Sequence, residues 1–171
     1  LSSYFGKTSG SFVIYDMTND RYKIYNKDLS TKRVSPDSTY KIYSGLFALE
    51  EGVINYNSSN QHWDGTNYYF DSWNKDQTLT SALRNSVNWY FQALDAKLGK
   101  SNLQSYIEQI GYGNQNINGE LSSYWMESSL KISPIEQVEL LTSLYFNDFG
   151  FTPENIQTTK ESIQLFSDVN C

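Results

Sequence analysis

A chain of 171 residues suits one domain or part of one, and its net charge of -6, with 13 Lys and Arg scattered along it, lacks the basic footprint of a nucleic-acid binder. One cysteine, Cys171, and one histidine, His62, exclude an internal disulfide, a zinc ribbon and a Ser-His-Asp triad within these residues. Aromatic residues reach 16%, with 14 Tyr, which is ample apolar area for a core and a cleft wall.

Residues 1–9 read as a loose lead-in. Ser11 to Asp16 and Arg21 to Tyr25 are β-branched and aromatic runs on either side of Met17-Thr18-Asn19-Asp20, the composition of a hairpin turn. A polar connection over 26–34 leads to a helix from Pro36 to about Glu51. Its start signals are Ser35 as N-cap, Pro36 at the first position and Asp37 in the first turn. Ile42, Leu46, Leu49 and Val53 keep helical spacing, and Gly52 marks the end. Residues 55–76 are polar and turn-rich with interspersed aromatics, an ordered loop region with short elements. Helical patterns resume over 78–85, 86–98 and 101–110, then over Pro134 to about Phe146 and Pro153 to about Phe166, with a loop over 111–119. A two-stranded hairpin is marginal alone. Nothing after residue 30 reads clearly as a strand, so the hairpin is expected to need sheet partners. No apolar run is long enough for a transmembrane helix, and the start at Leu1, without Met or a signal-peptide pattern, reads as a piece of something longer.

The chemistry concentrates at Ser38-Thr39-Tyr40-Lys41. On a helix, a hydroxyl and an amine three residues apart share a face. The amine can then be the general base that a serine needs to become a nucleophile. His62 lies in the polar loop Asn60 to Asp64 and reads as a surface residue, so a base must come from Lys, Asp, Glu or Tyr. Ser-x-x-Lys also occurs at Ser72 to Lys75 and Ser128 to Lys131, but only Ser38 begins a helix with its own start signals. Free N–H groups there can stabilise a developing oxyanion. Ser86-Val87-Asn88 puts a second hydroxyl at a helix start. Read alone, Ser86 is an N-cap and Asn88 a solvated first-turn residue; beside Lys41, Ser86 becomes a proton relay to a leaving nitrogen. Tyr112-Gly113-Asn114 has plain turn chemistry, and Trp125, within Ser123 to Glu127, taken singly is a core aromatic.

In this order, the four elements resemble the penicillin-recognising serine family, nearest to class D β-lactamases and to the sensor domains of BlaR/MecR-type β-lactam receptors. No element is specific alone; the ordered set is. The likeness runs from about Gly10 to about Leu144, and the segments Ser35 to Tyr43 and Asn85 to Tyr90 look most like the MecR sensor. The resemblance implies an α+β fold of the serine β-lactamase and penicillin-binding-protein type: a helical body plus an N-terminal β-hairpin, in a single domain over 1–171 whose C-terminal strands are missing. It implies that the β-lactam carbonyl acylates Ser38 and that Lys41 is the base, as a free amine or as a CO2-derived carboxylated lysine of the class D kind. Ser86 would sit between Lys41 and the lactam nitrogen. Tyr40 and Asn88 fall at motif positions taken as ligand-binding. Tyr112, Gly113 and Asn114 match the third loop motif, mainly structural in role, and Trp125 matches the tryptophan that hydrogen-bonds the lysine carboxyl group. No metal is implied, and no cofactor beyond that carboxylation.

Two departures matter. Class D hydrolases have Val where this chain has Asn88. An apolar wall keeps a carboxylated lysine, because desolvation disfavours the ammonium. An amide there could hydrogen-bond Lys41 instead and leave an acyl-serine stranded, as in a sensor. Second, no Lys-Thr-Gly or Lys-Ser-Gly occurs. In the family that strand brings one of two oxyanion donors, whose loss costs roughly two to three orders of magnitude in rate. This chain alone is therefore expected to acylate poorly, its sheet completed by absent strands or a second copy.

The expected function is β-lactam sensing by long-lived acylation of Ser38, on the extracellular side of a cell membrane. The signal would pass through the membrane-embedded remainder of the receptor, in the family a zinc metalloprotease. A class D β-lactamase is the alternative, disfavoured by Asn88. A cell-wall transpeptidase and a helical domain with coincidental motifs are further readings.

Overall fold

β-Branched and aromatic residues around a tight turn make the hairpin. In the computed structural model of the chain, which describes residues 2–164, β1 (Phe12–Asp16) pairs antiparallel with β2 (Arg21–Tyr25), from Phe12 opposite Tyr25 to Asp16 opposite Arg21. The Asp16 carboxylate closes the turn by accepting from the Thr18 and Asn19 N–H groups. Cys171 and the end of the last expected helix, Phe166, lie outside the described residues. Two single-turn helices, α1 (Ser2–Phe5) and α2 (Lys27–Ser30), occupy segments expected to be irregular. Both are too short for any periodic pattern to show.

The helix expected from Pro36 is two pieces: a 3-10 turn over Asp37–Tyr40, then α3 (Lys41–Glu50). Ser35 is not its N-cap. Its hydroxyl accepts from Lys131 Nζ at 2.9 Å, and Pro36 occupies the cap position. Tyr43 to Leu49 are all buried. A helix apolar on every side belongs at a centre, and α3 packs against α4 (Leu79–Arg84), α5 (Asn88–Gln109) and α7 (Pro153–Ile163). Each fully buried Leu or Phe in this core contributes about 1.5–3 kcal/mol.

The patterns over 86–98 and 101–110 are one span, α5, broken at Gly99, whose φ of 75° interrupts the helical backbone. Ser86 does not cap it; Val87 holds that position. α6 (Pro134–Phe146) starts on a reciprocal cap in which Ser133 and Glu136 satisfy each other's backbone N–H. α6 packs on β1 and so carries the hairpin. The hairpin is the one sheet among the described residues.

Candidate functional site

Tertiary packing joins three side chains from two places in the sequence. Ser38 lies exposed in the 3-10 turn, and Lys41 one turn later is buried, 1% exposed. Lys41 Nζ donates to Ser38 Oγ at 3.0 Å, to the Ser86 carbonyl at 2.7 Å and to Ser86 Oγ at 2.8 Å. Ser86 Oγ in turn donates to Ser38 Oγ at 2.7 Å. The backbone is bent to achieve this. Ser86 has φ 52° and Asp37, just before Ser38, has φ 46°, left-handed conformations that cost on the order of 1–3 kcal/mol each. The Asp37 N–H bonds the Trp125 carbonyl, and its carboxylate accepts from the Glu127 N–H, so the nucleophile turn is tied to the Trp125 loop.

Burial pushes the Lys41 ammonium down to about 8, and the Asp37 carboxylate pulls part of the way back. An amine near neutral pH with a serine hydroxyl in reach is an activated nucleophile pair. Among the described residues the Ser38 N–H has no hydrogen-bond partner, which leaves it available as an oxyanion donor. Ser38 and Ser86 open on a cleft of about 360 Å³ walled by Thr39, Ile42, Leu83 and Ile163, with Arg84 at its rim.

The Trp125 ring centre stands 5.5 Å from Lys41 Nζ, and its buried Nε1 makes no hydrogen bond of ordinary geometry but lies against the Asp95 carboxyl. Asn88 does not reach Lys41. Its amide donates to Met126 Sδ at 3.3 Å, which corrects the expected amide–lysine contact. Tyr40 is fully buried; its ring packs on Trp125 and its hydroxyl bonds Tyr124, so it lines the core and not the cleft. Tyr112 is also buried. Asn114 exchanges hydrogen bonds with Lys131 and donates to the Ser129 carbonyl. Gly113, at φ 49°, lies where a Cβ would overlap the Lys131 carbonyl. These three residues shape a loop and do not touch the cleft. The other two Ser-x-x-Lys matches are not pairs: Lys131 bonds Ser35, and Ser72 meets Gln77 through its carbonyl. His62 is exposed and bonds Asp76.

The penicillin-binding protein transpeptidase domain model matches residues 10–168. The chain belongs to that family. It is 46% identical over 166 residues to the regulatory protein BlaR1 of Bacillus licheniformis, covering 96% of this chain and 28% of the relative. With the methicillin resistance mecR1 protein of Staphylococcus aureus it shares 42% over 165 residues, again 96% and 28%. These identities do not favour MecR over BlaR. The solved C-terminal domain of the B. licheniformis BlaR penicillin-receptor superposes with TM-score 0.91 at 45% identity, covering 95% of this chain and 65% of that one. The class D β-lactamase BAT-2 superposes with TM-score 0.95 at 34% identity, covering 98% and 71%. The chain thus spans little more than a quarter of the length of the curated relatives it matches.

Arg84, Leu83 and Ile163 at the cleft, and a buried Asp95 behind the site, escaped the sequence reading. A cation at the end of a short helix and an acid within a long one carry no local signal of a site.

Proposed function

We propose that the protein senses β-lactam antibiotics by one long-lived acylation of Ser38. The observation that carries this is Lys41 Nζ, buried, lowered to about 8, and within hydrogen-bond reach of both Ser38 Oγ and Ser86 Oγ. Neutral Lys41 takes the Ser38 proton as Oγ attacks the lactam carbonyl carbon. The Oγ–C bond forms, the ring C–N bond breaks, and the proton passes through Ser86 Oγ to the leaving nitrogen. The Ser38 N–H holds the developing oxyanion. After acylation, a Lys41 that has reprotonated or lost CO2 no longer activates water against the ester, so the adduct persists.

Carboxylation of Lys41 is part of the proposal, as one form of the base. The Trp125 indole near Lys41, whose Nε1 has only the Asp95 carboxyl against it, suits a carboxyl oxygen, with Ser38 and Ser86 on the amine's other contacts. Such a group would supply a carbamate base at neutral pH. The relatives named as regulatory proteins support a receptor role, with this domain on the extracellular side of a membrane-embedded remainder that in the family is a zinc metalloprotease. No described helix is long and apolar enough to cross a membrane. The close superposition on BAT-2 favours class D hydrolysis as the second reading.

Intact mass after incubation with benzylpenicillin tests both. A penicilloyl adduct on Ser38 lasting hours supports the sensor. A transient adduct with accumulating hydrolysed drug supports the hydrolase. Absence of any adduct, on this chain and on a form extended by a Lys-Thr/Ser-Gly strand, overturns both.

A further inference from the structure

Behind the site, α5 carries a carboxylate in the core. Asp95 is fully buried and has no ion-pair partner among the described residues. Ser44 Oγ donates to its Oδ1 at 2.7 Å, Tyr40 OH to the same oxygen at 3.4 Å, and Tyr124 OH to Oδ2 at 3.2 Å. The Tyr40 and Tyr124 hydroxyls also touch each other, so their two protons are shared among the three links joining Tyr40, Tyr124 and Asp95 unless the carboxyl is protonated and supplies a third.

The identities of these donors matter more than their number. Tyr40 immediately precedes Lys41, and Ser44 follows Lys41 by three residues on the same helix. Tyr124 immediately precedes Trp125. One carboxyl therefore holds the turn that carries Lys41 on both sides, and holds the neighbour of the indole that faces Lys41. The rings repeat the link: Tyr40 stacks on Trp125 at 5.7 Å and meets Tyr124 edge-on at 5.4 Å. A role in packing alone would be met as well by an apolar side chain, without the cost of burying a carboxyl.

We propose that Asp95 is a positioning residue that sets the placement of Trp125 against Lys41 by anchoring Tyr40, Ser44 and Tyr124. It touches neither Ser38 nor the cleft and acts through those neighbours and through the Trp125 indole, whose N–H lies against it. The proposal rests on the reading of Lys41 as the base for Ser38. With the anchor loosened, the indole packs less closely on the amine, water reaches Nζ, and the amine titrates closer to an ordinary lysine.

The test compares the parent protein with Asp95→Asn, which keeps size and one acceptor, and Tyr124→Phe, which keeps the ring and removes one donor. Three readouts are needed: thermal midpoint, the Lys41 titration midpoint from 15N-lysine NMR without drug, and the rate of penicilloyl adduct formation. The expected result is that the variants fold and the Lys41 midpoint rises. Adduct formation should fall roughly ten- to a hundredfold, the scale of a small misplacement. The double variant should be no slower than the slower single one, because both changes break one network. A Lys41 midpoint and adduct rate equal to the parent's in folded variants would overturn the proposal. If Asp95→Asn does not fold, Tyr124→Phe decides by the same criteria. The Lys41 readout needs no drug, so a parent protein that forms no adduct counts against the proposed function, while the NMR midpoints still judge Asp95.

Discussion

Ser86 Oγ donates a 2.7 Å hydrogen bond to Ser38 Oγ across 48 residues of sequence. Lys41 closes the triangle, and it holds Ser86 by the backbone carbonyl as well as by the hydroxyl. The relay can therefore be removed without releasing the lysine. Ser86→Ala should slow adduct formation by about a hundredfold, a typical share for a positioned proton-transfer group, with the thermal midpoint little changed. Ser38→Ala should abolish the adduct, whereas Ser72→Ala and Ser128→Ala should leave it intact. Intact-mass time courses check all four.

The acylation rate should depend on pH through Lys41. The neutral amine is the active form and its ammonium titrates at about 8. The rate should climb as pH rises toward 8 and level above it. Asp37→Asn removes the charge that holds the ammonium up, so its midpoint should fall below the parent's. Adduct rates measured from pH 6 to 9.5 give both curves; a flat parent profile would count against Lys41 as an amine base.

Stability should respond to pH through buried groups of opposite sign. Burial raises Asp95 from 3.8 to about 7, so the native state holds this proton more tightly and its contribution falls as pH rises between those values. Lys41 is lowered from 10.5 to about 8, so the unfolded chain binds more protons in that window and stability climbs with pH there. Glu136, held down to about 2 chiefly by the Arg33 guanidinium, contributes above its ordinary 4.5 and loses that contribution as pH falls toward 2. Urea midpoints across pH should show Asp95→Asn flattening the first slope and Lys41→Met the second.

Gly113→Ala should be among the most damaging small changes outside the cleft. It forces a methyl group toward the Lys131 carbonyl at a left-handed φ. A loss on the order of 1–3 kcal/mol or more is expected in chemical denaturation.

Ser133→Ala should cost about 1 kcal/mol by removing the α6 cap. The adduct rate should stay near the parent value, because α6 packs mainly on the hairpin and contributes no residue to the cleft.

Much of this was legible in the sequence because it is local. The hairpin, the loop over 111–119, and the Pro-led starts of α6 and α7 follow from residues a few positions apart, as does the Ser38–Lys41 pair. The neighbouring start was misjudged for a tertiary reason: Lys131, 96 residues away, takes the Ser35 hydroxyl from its capping role. Tyr40 looked like part of a ligand motif and proves to be core, because the Asp95 cluster draws its hydroxyl inward. Asn88 turns to a methionine sulfur brought in from the Trp125 loop. Residue type and short-range spacing by themselves determined the nucleophile, its amine and most elements. Only the packing of α3 against α5 and the Trp125 loop decided which hydroxyl meets Lys41, how far burial lowers that amine, and that Asp95 stands behind them. Those depend on contacts between segments tens of residues apart, for which no spacing rule exists.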